Sequence, residues 1–235
     1  MHRIIKKEEL APRIKLFVVE AREVAEHARP GHFFVLRIHD HGERIPLTIA
    51  DSDPKAGTIT MVFQEVGKST CELGTLEEGD AILDIVGPLG TPRDIRRLDT
   101  VVCVAGGVGV APIYPEAKAF HQLGTKVVSI IGAQTKDLLI FQDRMEAVSD
   151  EVHYCTDDGS YGYHGFVTGL LHDLLAGGLR PDEVVAIGPL PMMRAACRVT
   201  AEFGVKTIVS LNAIMVDGTG MCGSCRVTVD GKTMF

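Results

Sequence analysis

The sequence contains no Trp, and aromatic residues make up only 6% of its 235 residues. Positive charge is also in deficit, because 24 Lys and Arg face 31 Asp and Glu and leave a net charge of −7. A nucleic-acid partner requires a basic face, so this balance disfavours one. No apolar run reaches the ~18 residues of a membrane span, and the opening residues lack the apolar stretch of a signal peptide. We therefore expect a cytoplasmic protein with no membrane association.

Glycine is abundant, with 25 residues, and the chain has six Cys. Glycines permit tight turns in which the backbone approaches a ligand. Four of the cysteines lie singly in the sequence, and we interpret them as small buried side chains. Cys222 and Cys225 instead form a C-x-x-C among glycines. In a cytoplasmic protein such a pair indicates metal binding or redox chemistry rather than a disulfide framework.

The hydrophobic pattern changes near residue 98. Before it, short β-rich runs such as 13–20 and 58–65 alternate with turn signals, which predicts a small antiparallel β-barrel. After it, apolar strands alternate with helices of about a dozen residues, which predicts a doubly wound parallel α/β sheet. One of these helices is predicted over 137–148. After residue 210 the chain is rich in Gly and Cys. The predicted domains are 1–97, 98–210 and 211–235.

Three turns follow predicted strands of the α/β region. The first, GGVGVAP at 106–112, leads into a helix, so its N–H groups and the helix N-terminus can face a phosphate or ribose. Gly188-Pro189 and Asp157-Asp158 end later strands, and such strand ends form a shared crevice in an open sheet. A carboxylate there accepts a ribose hydroxyl and repels a 2′-phosphate, which favours NAD over NADP. A simple tight turn and a solvated acidic loop are the alternatives.

Two weaker signals lie in the barrel region. The segment RIPLT at 44–48 is followed by GKST at 67–70. A Gly permits close approach of the backbone, and hydroxyls together with a Lys can hold a pyrophosphate. A surface strand and a surface loop explain these two segments equally well.

The Cys pair has a spacing typical of plant-type iron–sulfur proteins. These proteins use C-x4-C-x2-C with one more distant Cys. Here Asp217 stands at the first ligand position and is followed by Cys222 and Cys225. A carboxylate oxygen can ligate iron, although thiolate is the usual ligand. A half zinc site and a redox C-x-x-C are the alternatives.

The order of these motifs resembles the ferredoxin-reductase-like flavoproteins over nearly the whole chain. Within that superfamily the chain is similar to small subunits of NADH-dependent, electron-bifurcating ferredoxin–NADP reductases. It is next similar to electron transfer subunits of dihydroorotate dehydrogenase type B. The resemblance implies an oxidoreductase subunit of a heterodimer. It would move electrons from NADH, or to NAD+, through FAD and a [2Fe–2S] cluster. The partner would be a larger flavin and iron–sulfur subunit, with ferredoxin as an indirect partner. A non-catalytic nucleotide- or zinc-binding module is the alternative from another class.

The resemblance also implies roles for individual residues, although no catalytic acid or base is among them. The isoalloxazine ring would be lined by Pro46, Leu47 and Thr48. The ribityl and adenosine parts of FAD would be flanked by Val62, Phe63 and Gln64, and the pyrophosphate would be held by Gly67, Ser69 and Thr70. The nicotinamide nucleotide would be met by Gly106, Gly107, Gly109, Asp157, Asp158, Gly188 and Pro189. The cluster would be ligated by Asp217, Cys222 and Cys225.

Two features depart from the family pattern. The family places a hydroxyl residue three positions after an Arg in the barrel, whereas Thr48 comes four positions after Arg44. A shift of one residue turns Arg44 to the other face of the strand unless a bulge restores it. The resemblance also implies a fourth cluster ligand roughly a dozen residues beyond Cys225, whereas the sequence stops at Phe235. We therefore expect a fragment that stops before a further Cys and holds no bound cluster.

Overall fold

The computed structural model describes residues 1–211, 214–229 and 231–234. The chain divides into two compact units. The first comprises Met1–Glu9, Arg13–Arg93 and Asn212–Phe235, and the second comprises Leu10–Pro12 and Asp94–Leu211. The predicted tail includes four residues that lie outside the described ones: Asn212, Ala213, Asp230 and Phe235. The domain boundaries at 97/98 and 210/211 stay predictions.

The first unit contains two antiparallel sheets around one core. Its elements in chain order are β1 (His2–Ala11), β2 (Ile14–Glu20), α1 (Arg22–His27), β3 (Phe33–Arg37), β4 (Ile45–Thr48), β5 (Asp51–Asp53), β6 (Thr58–Gln64), α2 (Lys68–Thr75), β7 (Ala81–Ile82) and β8 (Asp84–Leu89). A five-stranded sheet has the order β5-β6-β2-β1-β7, and a three-stranded sheet has the order β4-β3-β8. Alternate side chains of both sheets enter the core, where the rings of Phe17 and Phe63 meet edge to face at 5.1 Å.

The second unit is a six-stranded parallel sheet with helices on both faces. Its elements are β9 (Thr100–Gly106), α3 (Val110–Gln122), β10 (Lys126–Ala133), α4 (Gln142–Glu146), β11 (Glu151–Thr156), β12 (Tyr163–His164), α5 (Val167–Ala176), β13 (Glu183–Ile187), α6 (Leu190–Glu202) and β14 (Thr207–Val209). The strand order is β12-β11-β10-β9-β13-β14. The chain therefore winds outward from β9 on one side and returns to start the other side at β13. Ligands in such sheets bind at this reversal, beyond the carboxyl ends of the strands.

The helix predicted over 137–148 is wrong. A 3-10 turn at Lys136–Leu138 is followed only by the five residues of α4. Three consecutive buried residues lie between them, Leu139, Ile140 and Phe141. A helix turns part of any such run away from the core, so the chain leaves the helical path, and Phe141 adopts a left-handed φ of 60°.

The end of the described chain forms a hairpin of β15 (Val227–Val229) and β16 (Lys232–Met234). It belongs to the first unit. None of the helices in the described part of the chain is long and apolar enough to cross a membrane.

Candidate cofactor sites

The Gly-rich turn after β9 touches the end of β13. A Cβ on Gly109 would lie 2.8 Å from the carbonyl carbon of Ile187 and 3.0 Å from Cα of Gly188. Only a Gly therefore allows this approach. The space beside Gly107 is open, since nothing lies within 4 Å of the place where its Cβ would be, so a phosphate can reach the backbone there. Five predicted residues thus lie together at the sheet reversal: Gly106, Gly107, Gly109, Gly188 and Pro189.

The two acidic residues after β11 have different roles in their turn. The N–H groups of Asp157 and Asp158 donate to the carbonyls of Ala133 and Gln134, at 3.1 and 3.2 Å. Oδ1 of Asp158 accepts hydrogen bonds from the hydroxyl and the N–H of Ser160, at 2.6 and 2.9 Å, and these bonds lower the pKa of Asp158. The carboxylate of Asp158 therefore holds the turn together. The exposed carboxylate of Asp157 can accept a ribose hydroxyl.

Strand β4 turns two of its predicted residues to the outer face of the three-stranded sheet. Ile45 and Leu47 pack against the core, so Pro46 and Thr48 project to the opposite face. Pro46 lies opposite Val35 of β3 in the antiparallel register. Of the three residues predicted to line a flavin ring, Leu47 can offer only its backbone to this face.

Strand β6 divides its predicted residues in the same way. The side chain of Phe63 is buried in the core, whereas Val62 and Gln64 alternate to the other face and Gln64 is exposed. Arg44 stands just before β4 and is exposed. No contact of Arg44 with the predicted pyrophosphate segment is seen among the hydrogen bonds and ion pairs of the described residues.

The N-terminus of α2 is an open anion-binding position. The hydroxyl of Thr70 accepts the N–H groups of Val66 and Gly67, both at 3.1 Å. Nothing lies within 4 Å of the place where a Cβ of Gly67 would be. The hydroxyl of Ser69 donates to the carboxylate of Glu43, and a bound anion would compete with that carboxylate. A helix N-terminus with an uncovered Gly and two hydroxyls fits a pyrophosphate.

The predicted cluster loop is organised around Asp217. Its two carboxylate oxygens accept the N–H groups of Thr219 at 2.9 Å and Cys222 at 2.8 Å, and these bonds lower the pKa of Asp217. Sγ of Cys222 lies 2.7 Å from the hydroxyl of Ser224, which lowers the pKa of the thiol. The donor types fit an iron–sulfur cluster. Within residues 1–211, 214–229 and 231–234, however, no three His, Cys, Asp or Glu side chains are arranged to hold a metal ion.

Gly218 places this loop on the outer face of the three-stranded sheet. Its φ is +73°, and a Cβ there would lie 2.8 Å from Cγ2 of Val35 and 3.3 Å from Cδ1 of Leu89. The loop therefore rests on the face that also carries Pro46 and Thr48. Sequence reasoning missed this contact, because the Gly signalled a tight loop without indicating the surface that the loop would touch.

Comparisons with known proteins define the class. Residues 103–198 match the family model of the oxidoreductase NAD-binding domain. Residues 212–235 match that of the iron-sulfur cluster binding domain of dihydroorotate dehydrogenase B. The chain is thus a subunit of the oxidoreductase class that combines an NAD-binding and an iron–sulfur binding domain.

The relatives define the family. The "dihydroorotate dehydrogenase B (NAD(+)), electron transfer subunit homolog" of Thermotoga maritima is 48% identical over 235 residues, which is 100% of this chain and 83% of the relative. The corresponding electron transfer subunit of Enterococcus faecalis is 34% identical over 240 residues, 99% of this chain and 89% of the relative. The chain belongs to the family of dihydroorotate dehydrogenase B electron transfer subunits and their homologues.

A solved structure supports the same grouping. It comes from a study of flavin-based electron bifurcation by an NADH-dependent reduced ferredoxin–NADP oxidoreductase. That structure is 46% identical to this chain and superposes on it with a TM-score of 0.94. The match covers 100% of this chain and 84% of the chain in the solved structure. The resemblance and the fold class predicted from the sequence are confirmed.

Proposed function

We propose that the chain carries electrons between NAD(H) and a larger oxidoreductase subunit, with FAD and a [2Fe–2S] cluster as the carriers and ferredoxin as an indirect partner. Family membership supports this function, and one observation carries it. The outer face of the β4-β3-β8 sheet presents Pro46 and Thr48, and the loop that contains Asp217, Cys222 and Cys225 rests on the same face.

The register shows how near the two candidate positions are. Gly218 contacts Val35, and Val35 lies directly opposite Pro46 in the next strand. Neighbouring strands are about 4.8 Å apart. A flavin ring on Pro46 and a group held by the loop would therefore be neighbours on one surface. This arrangement suits successive electron carriers better than two unrelated binding sites.

The residues of the chain supply binding and orientation rather than acid–base chemistry. The open N-terminus of α2 would bind the pyrophosphate of FAD, and the hydroxyl of Thr48 would hydrogen-bond near N5 of the ring. The turn at Gly107 would bind the nicotinamide nucleotide, and Asp157 would accept a ribose hydroxyl and repel a 2′-phosphate. When bound, the flavin supplies hydride transfer with the nicotinamide and release of electrons one at a time.

The test uses the full chain reconstituted with FAD and titrated with NADH and NADPH without oxygen. We expect bound flavin absorbance that NADH bleaches and NADPH bleaches poorly. Asp157→Asn should narrow the preference for NADH, because it removes the charge that repels a 2′-phosphate. Ser52→Ala, on β5 in the first unit and outside the predicted nucleotide residues, is the control. A chain that binds no FAD, or whose bound flavin NADH leaves oxidised, contradicts the proposal.

The family name also supports a second candidate, the electron transfer subunit of a dihydroorotate dehydrogenase. The two candidates differ in the partner subunit. Co-purification of a large flavin and iron–sulfur protein would favour the first, and co-purification of a barrel enzyme that binds orotate would favour the second. The cytoplasmic location stays a prediction, which fractionation of cells would test.

A further inference from the structure

Helix α2 is held at its far end by cations from the neighbouring sheet. The helix ends at Thr75 without a basic residue of its own in the last turn. The carbonyl of Gly74 instead accepts from Nζ of Lys7 at 3.0 Å and from Nζ of Lys15 at 3.2 Å. Cations at a helix C-terminus are stabilising because they complement the helix dipole. The two lysines therefore tie the end of α2 to strands β1 and β2.

Glu65 links this end of the helix to its beginning. Its Oε1 lies 2.6 Å from Nζ of Lys15, and the side chains of the two residues are only 17% and 15% exposed. The carboxylate also lies against Gly74, where a Cβ would collide with Oε1 of Glu65. In the chain, Glu65 stands between the end of β6 and Gly67 at the start of α2.

The segment that leads into α2 is held by the β1–β2 turn as well. The N–H of Glu65 donates to the carbonyl of Arg13 at 2.8 Å, and the guanidinium of Arg13 donates to the carbonyl of Glu65. Arg13 has a left-handed φ of 63°, a conformation that a residue with a side chain adopts at a cost and that persists only where its surroundings fix it. Both ends of α2 are thus fixed to the neighbouring strands β1 and β2 and the turn between them, with Glu65 as the link.

We infer that Lys15 and Glu65 are positioning residues that aim the N-terminus of α2, with Gly67, Ser69 and Thr70, at the pyrophosphate of FAD. The inference rests on the proposed function. Neither residue touches the pyrophosphate position itself, because both act at the opposite end of the helix or before it. Nζ of Lys15 bonds both the carboxylate of Glu65, which precedes the helix, and the carbonyl of Gly74 in its last turn. The ion pair is largely shielded from water and fixes the ammonium, so the end of the helix cannot move without breaking the bond to Gly74.

The test compares FAD with riboflavin, which has the same ring and lacks the pyrophosphate. Lys15→Met removes the ammonium and keeps most of the stem. It should weaken FAD binding by about tenfold, the loss expected for one charge-assisted hydrogen bond to a helix end, and leave riboflavin binding unchanged. Lys15→Arg should recover most of the affinity for FAD. Lys6→Met is the matched control, because Lys6 pairs with Glu8 on the same sheet and does not touch α2.

Dissociation constants come from the change in flavin fluorescence on titration with the full chain. Unchanged FAD binding by Lys15→Met overturns the inference. Equal losses for FAD and riboflavin also overturn it, because they indicate a general loosening of the first unit. A wild-type chain that binds neither flavin would instead contradict the proposed function, so the two failures are distinguishable.

Discussion

Replacement of Gly109 by Ala tests the close approach of the β9–α3 turn to β13. Gly109 has φ −59° and ψ −13°, a right-handed conformation that Ala adopts without strain. With free space around it, the substitution would stabilise the fold by about 0.4–1 kcal/mol, because Ala reduces the conformational entropy of the unfolded chain. The new Cβ would lie 2.8 Å from the carbonyl carbon of Ile187 and 3.0 Å from Cα of Gly188. Both neighbours are backbone atoms at the end of a fully buried strand, so they cannot move aside.

The clash should therefore reverse the sign of the effect. Overpacking of this kind costs about 1–3 kcal/mol, and we expect the free energy of unfolding to fall by that amount. The affinity for NADH should fall too, because the turn and the end of β13 move apart. Gly169→Ala is the control: this position lies within α5, and its nearest neighbour is the hydroxyl end of the Tyr163 side chain, at 3.2 Å. That variant should be neutral or slightly stabilised.

The measurements are urea unfolding of the full chain and NADH titration by fluorescence. If Gly109→Ala is as stable as the wild type or more so, and binds NADH equally well, then the turn does not contact β13 as described. Loss of NADH affinity with unchanged stability would show that the Cβ obstructs the ligand directly. The argument from backbone contact would then be wrong.

Gly218→Ala should displace the cluster loop from Val35 and increase its proteolysis by trypsin at Arg226, with little change in urea unfolding; unchanged cleavage would refute the docked loop. Burial, and secondarily Arg29, lowers the pKa of His32. The stability that neutral His32 contributes is present above its ordinary pKa of 6.5 and is lost as pH falls below it. The free energy of unfolding of His32→Gln, measured with urea, should therefore fall less between pH 7 and pH 5 than that of the wild type. Burial, and secondarily Asp157, raises the pKa of Cys155 to about 12. Native protein at pH 8 should therefore leave Cys155 unmodified by a thiol reagent, whereas exposed Cys71 reacts.

The alternation of strands and helices predicted the fold class well, because short apolar runs such as 183–187 that alternate with helices are typical of the buried strands of a parallel sheet. Short elements were harder. Helix α2 was not predicted, since GKST reads as a loop and only Leu73 of the helix enters the core deeply. The helix predicted over 137–148 failed because the hydrophobic run at 139–141 has no helical period. Local pattern specifies long elements, whereas tertiary contacts decide the short ones.

Motifs were enough to name the candidate residues, but they did not show which way each side chain points. The motif RIPLT does not reveal that Leu47 faces the core while Pro46 and Thr48 face outward, because that choice depends on register with β3. The two acidic residues Asp157 and Asp158 are equivalent in the sequence. They become distinct only when Ser160 is seen to bond Asp158. The contact of Gly218 with Val35 joins residues that are far apart in the chain, and no local pattern encodes such a contact.

The carboxylate of Asp217 shapes the predicted cluster loop without a metal and still has oxygen lone pairs that could bind one. Each of its oxygens accepts one backbone N–H, and these bonds fix the turn that brings Cys222 back toward the start of the loop. A carboxylate has about four lone-pair positions, so it can accept these N–H groups and still offer a position to iron. Hydrogen bonds to a ligating carboxylate also hold it in the orientation that a metal needs. An Asp at this position accepts these N–H groups more strongly than a thiolate would, because sulfur is a weak acceptor. Gly218 next to it anchors the same turn on Val35, so the sheet that also carries Pro46 would set the position of Asp217 in the proposed cluster site.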